Sequence, residues 1–150
     1  MSTAPMKLSC HCGTIRQAAR GITALYDEFL LPHGIKVTQF TLLMTIKTRK
    51  ESSTGDLASA LLLDSTTLSR TLATLKKMEL VDVRPGADLR VRLWCLTDGG
   101  KSLLAACEKD WKKAQDKVSR IFGRQSIEQL DRNIYELSTK IAADGIVLSS

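Results

Sequence analysis

The sequence predicts a mainly α-helical fold carrying one small β-ribbon, and three observations predict it. Between Asp64 and Met78, apolar residues fall at Leu68, Leu72, Leu75 and Met78, the spacing of a helix with one buried stripe. The period then switches. Val81-Asp-Val-Arg84 and Val91-Arg-Leu-Trp-Cys-Leu96 alternate and are rich in β-formers, with Pro85-Gly86-Ala87-Asp88 as turn chemistry between them. Beyond the ribbon, a long stretch of helical period returns. A helix, a ribbon with a basic tip at Arg90 and Arg92, then another helix is the layout of a winged helix-turn-helix.

The elements follow in order. From Cys10 to Leu31, Ile15, Ala18, Ala19, Ile22, Leu25 and Phe29 share one helical face, and Pro32 and Gly34 stop the helix. Thr38 is expected to cap a second helix to Arg49, with Phe40, Leu43, Met44 and Lys47 near one side. Ser53 with Asp56 forms a capping box for a short helix through Leu62. A tight connection at Leu63-Asp64 leads into the helix over Ser65, whose start Asp64 or Ser65 can cap. After the ribbon, Thr97 caps a long helix to Phe122, with Leu103, Cys107, Trp111, Ala114, Val118 and Ile121 on its apolar side. Gly123 ends it, and Ser126 with Gln129 reads as a second capping box. The last helix carries Leu130, Ile134, Leu137 and Ile141 at steps of four and three, a coiled-coil-like seam.

The winged part, residues 37–97, is too small to bury all of these stripes as well as its own. Residues 10–31 and 98–145 are therefore expected to be dimerisation helices, with residues 1–150 forming a single protomer of a homodimer. An antiparallel bundle of the three helices within one chain is the alternative.

A chain of 150 residues suits one domain, and 43% hydrophobic with 25% charged residues excludes global disorder. The net charge of +6 favours a polyanionic partner. Between Ser65 and Arg92, six cations (Arg70, Lys76, Lys77, Arg84, Arg90, Arg92) face three anions. No apolar run approaches the roughly 20 residues that span a bilayer, and Met1 to Leu8 lacks a secretory core, so a cytoplasmic location without membrane partners is expected. The four cysteines should be reduced there. With two histidines, no CxxC and no paired acid and base, neither an enzyme nor a bound cofactor is expected.

The start of the Ser65 helix carries Ser65, Thr66, Thr67, Ser69 and Arg70: short hydroxyls that let a helix approach DNA, plus one guanidinium fork that reads guanine or grips a phosphate. Thr67 can instead face the core. Outward carboxylates or apolar residues would have favoured a protein-interaction module. Lys76 and Lys77 suit a solvated face or phosphates.

Asp88-Leu-Arg90, five residues, then Leu96-Thr97 with Gly99 and Gly100, resembles the wing signature of the multiple-antibiotic-resistance regulator (MarR) family. Gly34-Ile-Lys-Val-Thr-Gln39-Phe40 and Thr54-Gly-Asp-Leu-Ala58 resemble that family's segments ahead of the reading helix. The resemblance runs from about Cys10 onward. It implies a homodimeric regulator, a repressor by expectation, on a palindromic double-stranded operator. Thr54, the reading-helix residues, Arg90 and Arg92 would contact DNA, with Arg90 in the minor groove and Asp88 holding it by a salt bridge. It also implies a small aromatic or phenolic effector in a cleft walled by Ile15, Arg16, Ala19, Phe40 and Leu43, where Arg16 could meet an anionic ligand.

Cys12, Arg20, Thr23 and Tyr26 stand at spacings similar to the organic-hydroperoxide-sensing branch, which implies a peroxide-reactive thiol at Cys12 supported by Tyr26. That branch has a second tyrosine where this chain has Val37. Cys10 and Cys12 lie two apart, pointing roughly 200° apart on a helix, so a bridge between them needs unwinding; a bridge from either to Cys107 of a second chain is the easier geometry. Cys95 and Cys107 also suit small buried hydrophobes. Cys10, His11 and Cys12, with His33, are soft ligands, but adjacent residues on a rigid helix diverge, so no metal is expected.

Overall fold

The computed structural model describes residues 4–88 and 90–145, so Leu89 of the wing signature lies outside the described residues. The order is α1 (His11–Leu30), a 3-10 turn (Leu31–His33), α2 (Val37–Arg49), β1 (Ser52–Ser53), α3 (Thr54–Leu61), α4 (Ser65–Lys77), β2 (Val81–Pro85), β3 (Arg92–Leu96), α5 (Asp98–Phe122) and α6 (Arg124–Ala143). The expected class holds: mainly α with a small ribbon.

The winged core is built from leucines at helical spacing. Leu42, Leu43 and Ile46 of α2, Leu57 of α3 and Leu68, Leu72 and Leu75 of α4 are at most 1% exposed, and they close against Leu30, Val81, Leu104 and Cys107. Burying each such side chain stabilises the fold by about 1.5–3 kcal/mol. Met78, expected at the end of the α4 stripe, is instead the exposed C-cap residue.

The sheet is antiparallel, in the order β1-β3-β2. The sequence reading missed β1, which is only Ser52 and Ser53 paired with Trp94 and Leu93. Ser53 serves twice, because its hydroxyl also accepts the Asp56 amide at 3.1 Å while Asp56 Oδ2 accepts the Ser53 amide at 3.0 Å. That is the expected capping box.

Two other caps differ from expectation. Asp27 of α1, rather than Thr38, holds the start of α2, its Oδ1 accepting the Val37 amide at 2.6 Å, and Gln39 Oε1 accepts the Lys36 amide at 2.9 Å. At α6 the second capping box does not form. The helix begins at Arg124, Gly123 takes the N-cap position with no side-chain bond, and Gln129 reaches forward to Asn133.

The junction of α4, β2 and α5 is tightly drawn. Glu79 turns the chain at φ 59°, Thr97 Oγ1 donates to its carbonyl at 2.6 Å, and the same oxygen accepts the Gly100 amide at 3.0 Å. A Cβ on Gly100 would stand 2.1 Å from the Leu80 carbonyl oxygen, so only glycine lets α5 pass there.

The terminal helices are less enclosed. Of α1 only Tyr26 and Leu30 are buried, and α6 buries nothing. Ile121 (70%), Phe122 (55%) and Tyr135 (76%) stand open, with Leu137 and Ile141 of the seam exposed. Within the chain α1 and α6 each pack on α5 while leaving these residues open. No helix among the described residues is long and apolar enough to cross a membrane.

Candidate nucleic-acid interface

The start of α4 presents the expected kit. Asp64 caps the helix, its Oδ1 accepting the Thr67 amide at 2.7 Å. Bonding from the Thr67 side chain and then its amide holds the Asp64 carboxyl below the usual range, so the cap is ionised at neutral pH. Ser65, Thr66, Ser69 and Arg70 are exposed. Thr71 and Thr74 differ, since their hydroxyls donate back to the carbonyls of Thr67 and Arg70 at 3.0 Å.

Thr54, the first residue of α3, is tied to the wing. Trp94 Nε1 of β3 donates to Thr54 Oγ1 at 3.0 Å, leaving the hydroxyl proton free for an acceptor such as a phosphate. This bond fixes the α3 start against the ribbon, a link forty positions long that no local pattern announces.

At the wing tip Arg90 and Arg92 are exposed. Asp88 positions Arg90 by a different bond from the salt bridge expected: its Oδ1 accepts the Arg90 backbone amide at 2.9 Å, and no ion pair joins the two side chains among the described residues. Val91 donates to the Asp88 carbonyl and Gly86 to that of Val91, closing the turn. Lys76 pairs with Asp82 at 3.7 Å on the surface.

None of the residues of the expected cleft wall lines the cavity beside the α4 start, although Phe40 lines a neighbouring one of about 400 Å³. A space of about 450 Å³ opens between α1, α2, α3 and α4, lined by Ile22, Thr23, Tyr26, Val37, Thr38, Thr41, Leu42, Leu61, Leu63, Thr67 and Thr71. Ile15, Arg16 and Ala19 stand exposed about two turns earlier on α1. Phe40 and Leu43 face the core, Phe40 against Trp111 with ring centroids 6.0 Å apart. The lining of this cavity holds no charged side chain. Tyr26 is neutral there: burial, then the Asp131 carboxylate, push its phenol above the ordinary range. Thr67 belongs to this wall as well as to the α4 start, the placement the sequence had left open.

The sulfur groups separate into two classes. Cys10 and Cys12 are exposed, and Cys95 and Cys107 are buried. Cys107 is 0% exposed inside the core, where burial and then Asp110 raise its thiol, so a bridge from it to another chain would require opening the core. Cys12 and Tyr26 lie fourteen positions apart on one helix, about 21 Å, so a Tyr26 that supports Cys12 must come from a second chain. His33 bonds Asp110 at 2.9 Å, tying the 3-10 turn to α5. No group of three potential metal ligands gathers among the described residues.

Three comparisons bear on this arrangement. A family model described as the MarR family matches residues 33–90. The M. tuberculosis transcriptional regulator MosR, solved in complex with DNA, is 32% identical, covers 90% of this chain and 98% of its own, and superposes with a TM-score of 0.80. Wild-type MarR from E. coli in its apo form (21% identity, 87% of this chain and 98% of that one, TM-score 0.72) shares the fold. So does an E. coli MarR variant complexed with operator DNA (22% identity, 83% and 90%, TM-score 0.76). A search of curated protein sequences gave no match. The match to MosR at that identity, over nearly the full length of both chains, places this chain in the MarR family of transcriptional regulators.

Proposed function

We propose that this regulator works as a homodimer that binds a palindromic DNA operator as a repressor and is released when a small, neutral aromatic or phenolic compound enters the cavity between α1 and α4. It is a regulator rather than an enzyme, as its family is. One observation carries the reading. Thr67 and Thr71 line the cavity from the same helix whose first turn exposes Ser65, Thr66, Ser69 and Arg70. A ligand that separates α4 from α1 therefore shifts the reading surface itself. Two half-sites must be met together, so a small tilt weakens binding strongly.

Ser65, Thr66, Ser69 and Arg70 enter the major groove, Thr54 grips a phosphate, and Arg90 and Arg92 serve the wing, Arg90 in the minor groove. That MosR, 32% identical, was solved in complex with DNA supports a DNA-binding role. The five threonines and Tyr26 offer hydrogen bonds within apolar walls, which suits a phenol better than a carboxylate. The exposed apolar stripes of α1, α5 and α6 supply the dimer surface.

A second release route rests on the exposure of Cys10 and Cys12 at the start of α1. Oxidation of Cys12 there, with Tyr26 supplied by the other protomer, would act on the same dimer geometry.

The test is a gel shift on the DNA upstream of the protein's own gene. It is run on reduced protein, after mild organic hydroperoxide, and with a panel of phenols. Arg70→Ala should cost about 1–3 kcal/mol of binding, as loss of one forked contact does. A phenol that releases wild-type protein but not a Thr71→Val/Tyr26→Phe variant supports the cavity. Release by hydroperoxide that Cys12→Ser abolishes supports the thiol. No specific complex even at low salt would end the DNA reading.

A further inference from the structure

A second charged surface lies away from the start of α4. Five cations, Lys47, Arg49, Lys50, Arg84 and Lys101, surround a concavity of about 640 Å³ with one carboxylate, Glu51, on its rim and the buried Cys95 among its walls. They come from three separated places in the sequence: the end of α2, strand β2 and the first turns of α5. All five are exposed. Lys101 is paired with Asp98 at 2.8 Å; Lys47, Arg49, Lys50 and Arg84 make no ion pair among the described residues.

The dipole of α2 explains two of these charges, because Lys47 and Arg49 stand in its last turn, where cations are favoured. Lys50, the C-cap residue, stands at that same end, but the dipole does not explain Arg84 or Lys101. Lys101 sits near the N-terminus of α5, the end that disfavours a cation. Lys50 is held at φ 66° and ψ −58°, with the Glu51 amide donating to the Arg49 carbonyl at 2.8 Å. That is a three-residue turn of the rare positive-φ kind, which strains any residue but glycine. A long cation kept in a glycine conformation, at the rim of a concavity already rich in positive charge, marks strain retained at a site.

We propose that this concavity binds phosphate groups. Lys50 and Arg84 are its main contacts, with Lys47, Arg49 and Lys101 adding field. Two sources could supply the phosphates: a small phosphorylated ligand, or the backbone of duplex DNA flanking the operator. The site lies on the segment that leads straight into β1 and Thr54, so flanking DNA could reach it. The proposal goes beyond the operator reading above and is tested apart from it.

The full-length protein is titrated with inorganic triphosphate by calorimetry. In parallel it is titrated with an operator duplex and with the same duplex extended by about one helical turn at each end. The variants are Lys50→Gly/Arg84→Ala and Arg70→Ala. Lys50→Gly relieves the strained turn, so the double variant should melt no lower than wild type while binding phosphate at least fivefold more weakly. Weaker triphosphate binding assigns the site to a small ligand. Weaker binding of the extended duplex alone, with the log-affinity against log-salt slope falling by about 1 for each phosphate no longer neutralised, assigns it to flanking DNA. Arg70→Ala should weaken both duplexes and leave triphosphate binding intact, which separates this site from the reading helix. If Lys50→Gly/Arg84→Ala binds triphosphate and both duplexes as wild type does, the proposal falls.

Discussion

The winged part and the terminal helices carry apolar stripes of similar regularity, yet one part closes on itself and the other does not. The stripes of α2, α3 and α4 disappear into a single core, with Leu43, Ile46, Leu57, Leu68, Leu72 and Leu75 all at 0% exposure. The seam of α6 buries no residue, and the end of α5 leaves Ile121 and Phe122 open. Helical periodicity says that a face will be covered; it does not say by what. In the winged part the cover is local, because short connections fold each helix onto its neighbour. In the terminal helices part of the apolar surface stays open in the single chain.

This contrast predicts the largest effect. Leu137→Glu with Ile141→Glu places charge on the α6 seam, where both residues are 40% exposed in the single chain. The winged part should stay folded, while sedimentation should report a monomer. Operator affinity should fall by about two orders of magnitude or more, because the two reading helices lose their shared effective concentration. A variant that remains dimeric and binds DNA normally would place the dimer surface elsewhere.

The converse experiment attacks the closed part. Gly100→Ala puts a methyl 2.1 Å from the Leu80 carbonyl, at a junction where the Thr97 amide also donates to that carbonyl at 3.2 Å and Thr97 Oγ1 bonds the Glu79 carbonyl. The backbone cannot yield without breaking those bonds, so a loss of about 3 kcal/mol in denaturant unfolding is expected. Gly99→Ala is the control, since its nearest neighbour would be 3.4 Å away. Equal costs at the two positions would mean that the junction is softer than its geometry implies.

The same contrast governs what could be read from the sequence. Periodic features were legible: the helices, the ribbon, the Ser53–Asp56 box and the Thr97 cap all follow from local chemistry. So did the exposed surface of the α4 start, because a cap and a stripe together fix which residues face outward. What escaped reading depends on distant residues. Asp27 caps a helix it does not belong to, Trp94 finds Thr54, and the two-residue β1 is too short to show a period. The resemblance to the family, not the residues themselves, sets the expected cleft wall at Ile15, Arg16, Ala19, Phe40 and Leu43. In the fold Ile22, Thr23 and Tyr26 of α1 share a cavity with residues of α2 and α4. Ser126 with Gln129 had the composition of a box without the chain reversal that would make one, as Gly123 already starts α6.

The smallest effect concerns acid. Asp56 and Asp64, which cap α3 and α4, both have carboxyls below the ordinary value, held there first by side-chain bonding from Ser53 and Thr67 respectively. A depressed folded value means stability that is fully present above the unfolded pKa of about 4 and is lost as pH falls through the lower folded value. Asparagine at an N-cap accepts the same amide but does not titrate. Asp64→Asn should therefore melt slightly below wild type at pH 7, where it lacks the charge that favours the helix start. As pH falls from about 5 to about 3, the wild-type protein should lose its ionised cap and the two melting curves should converge. Curves that stay parallel over that range would show that the acid sensitivity of the winged part arises away from the start of α4.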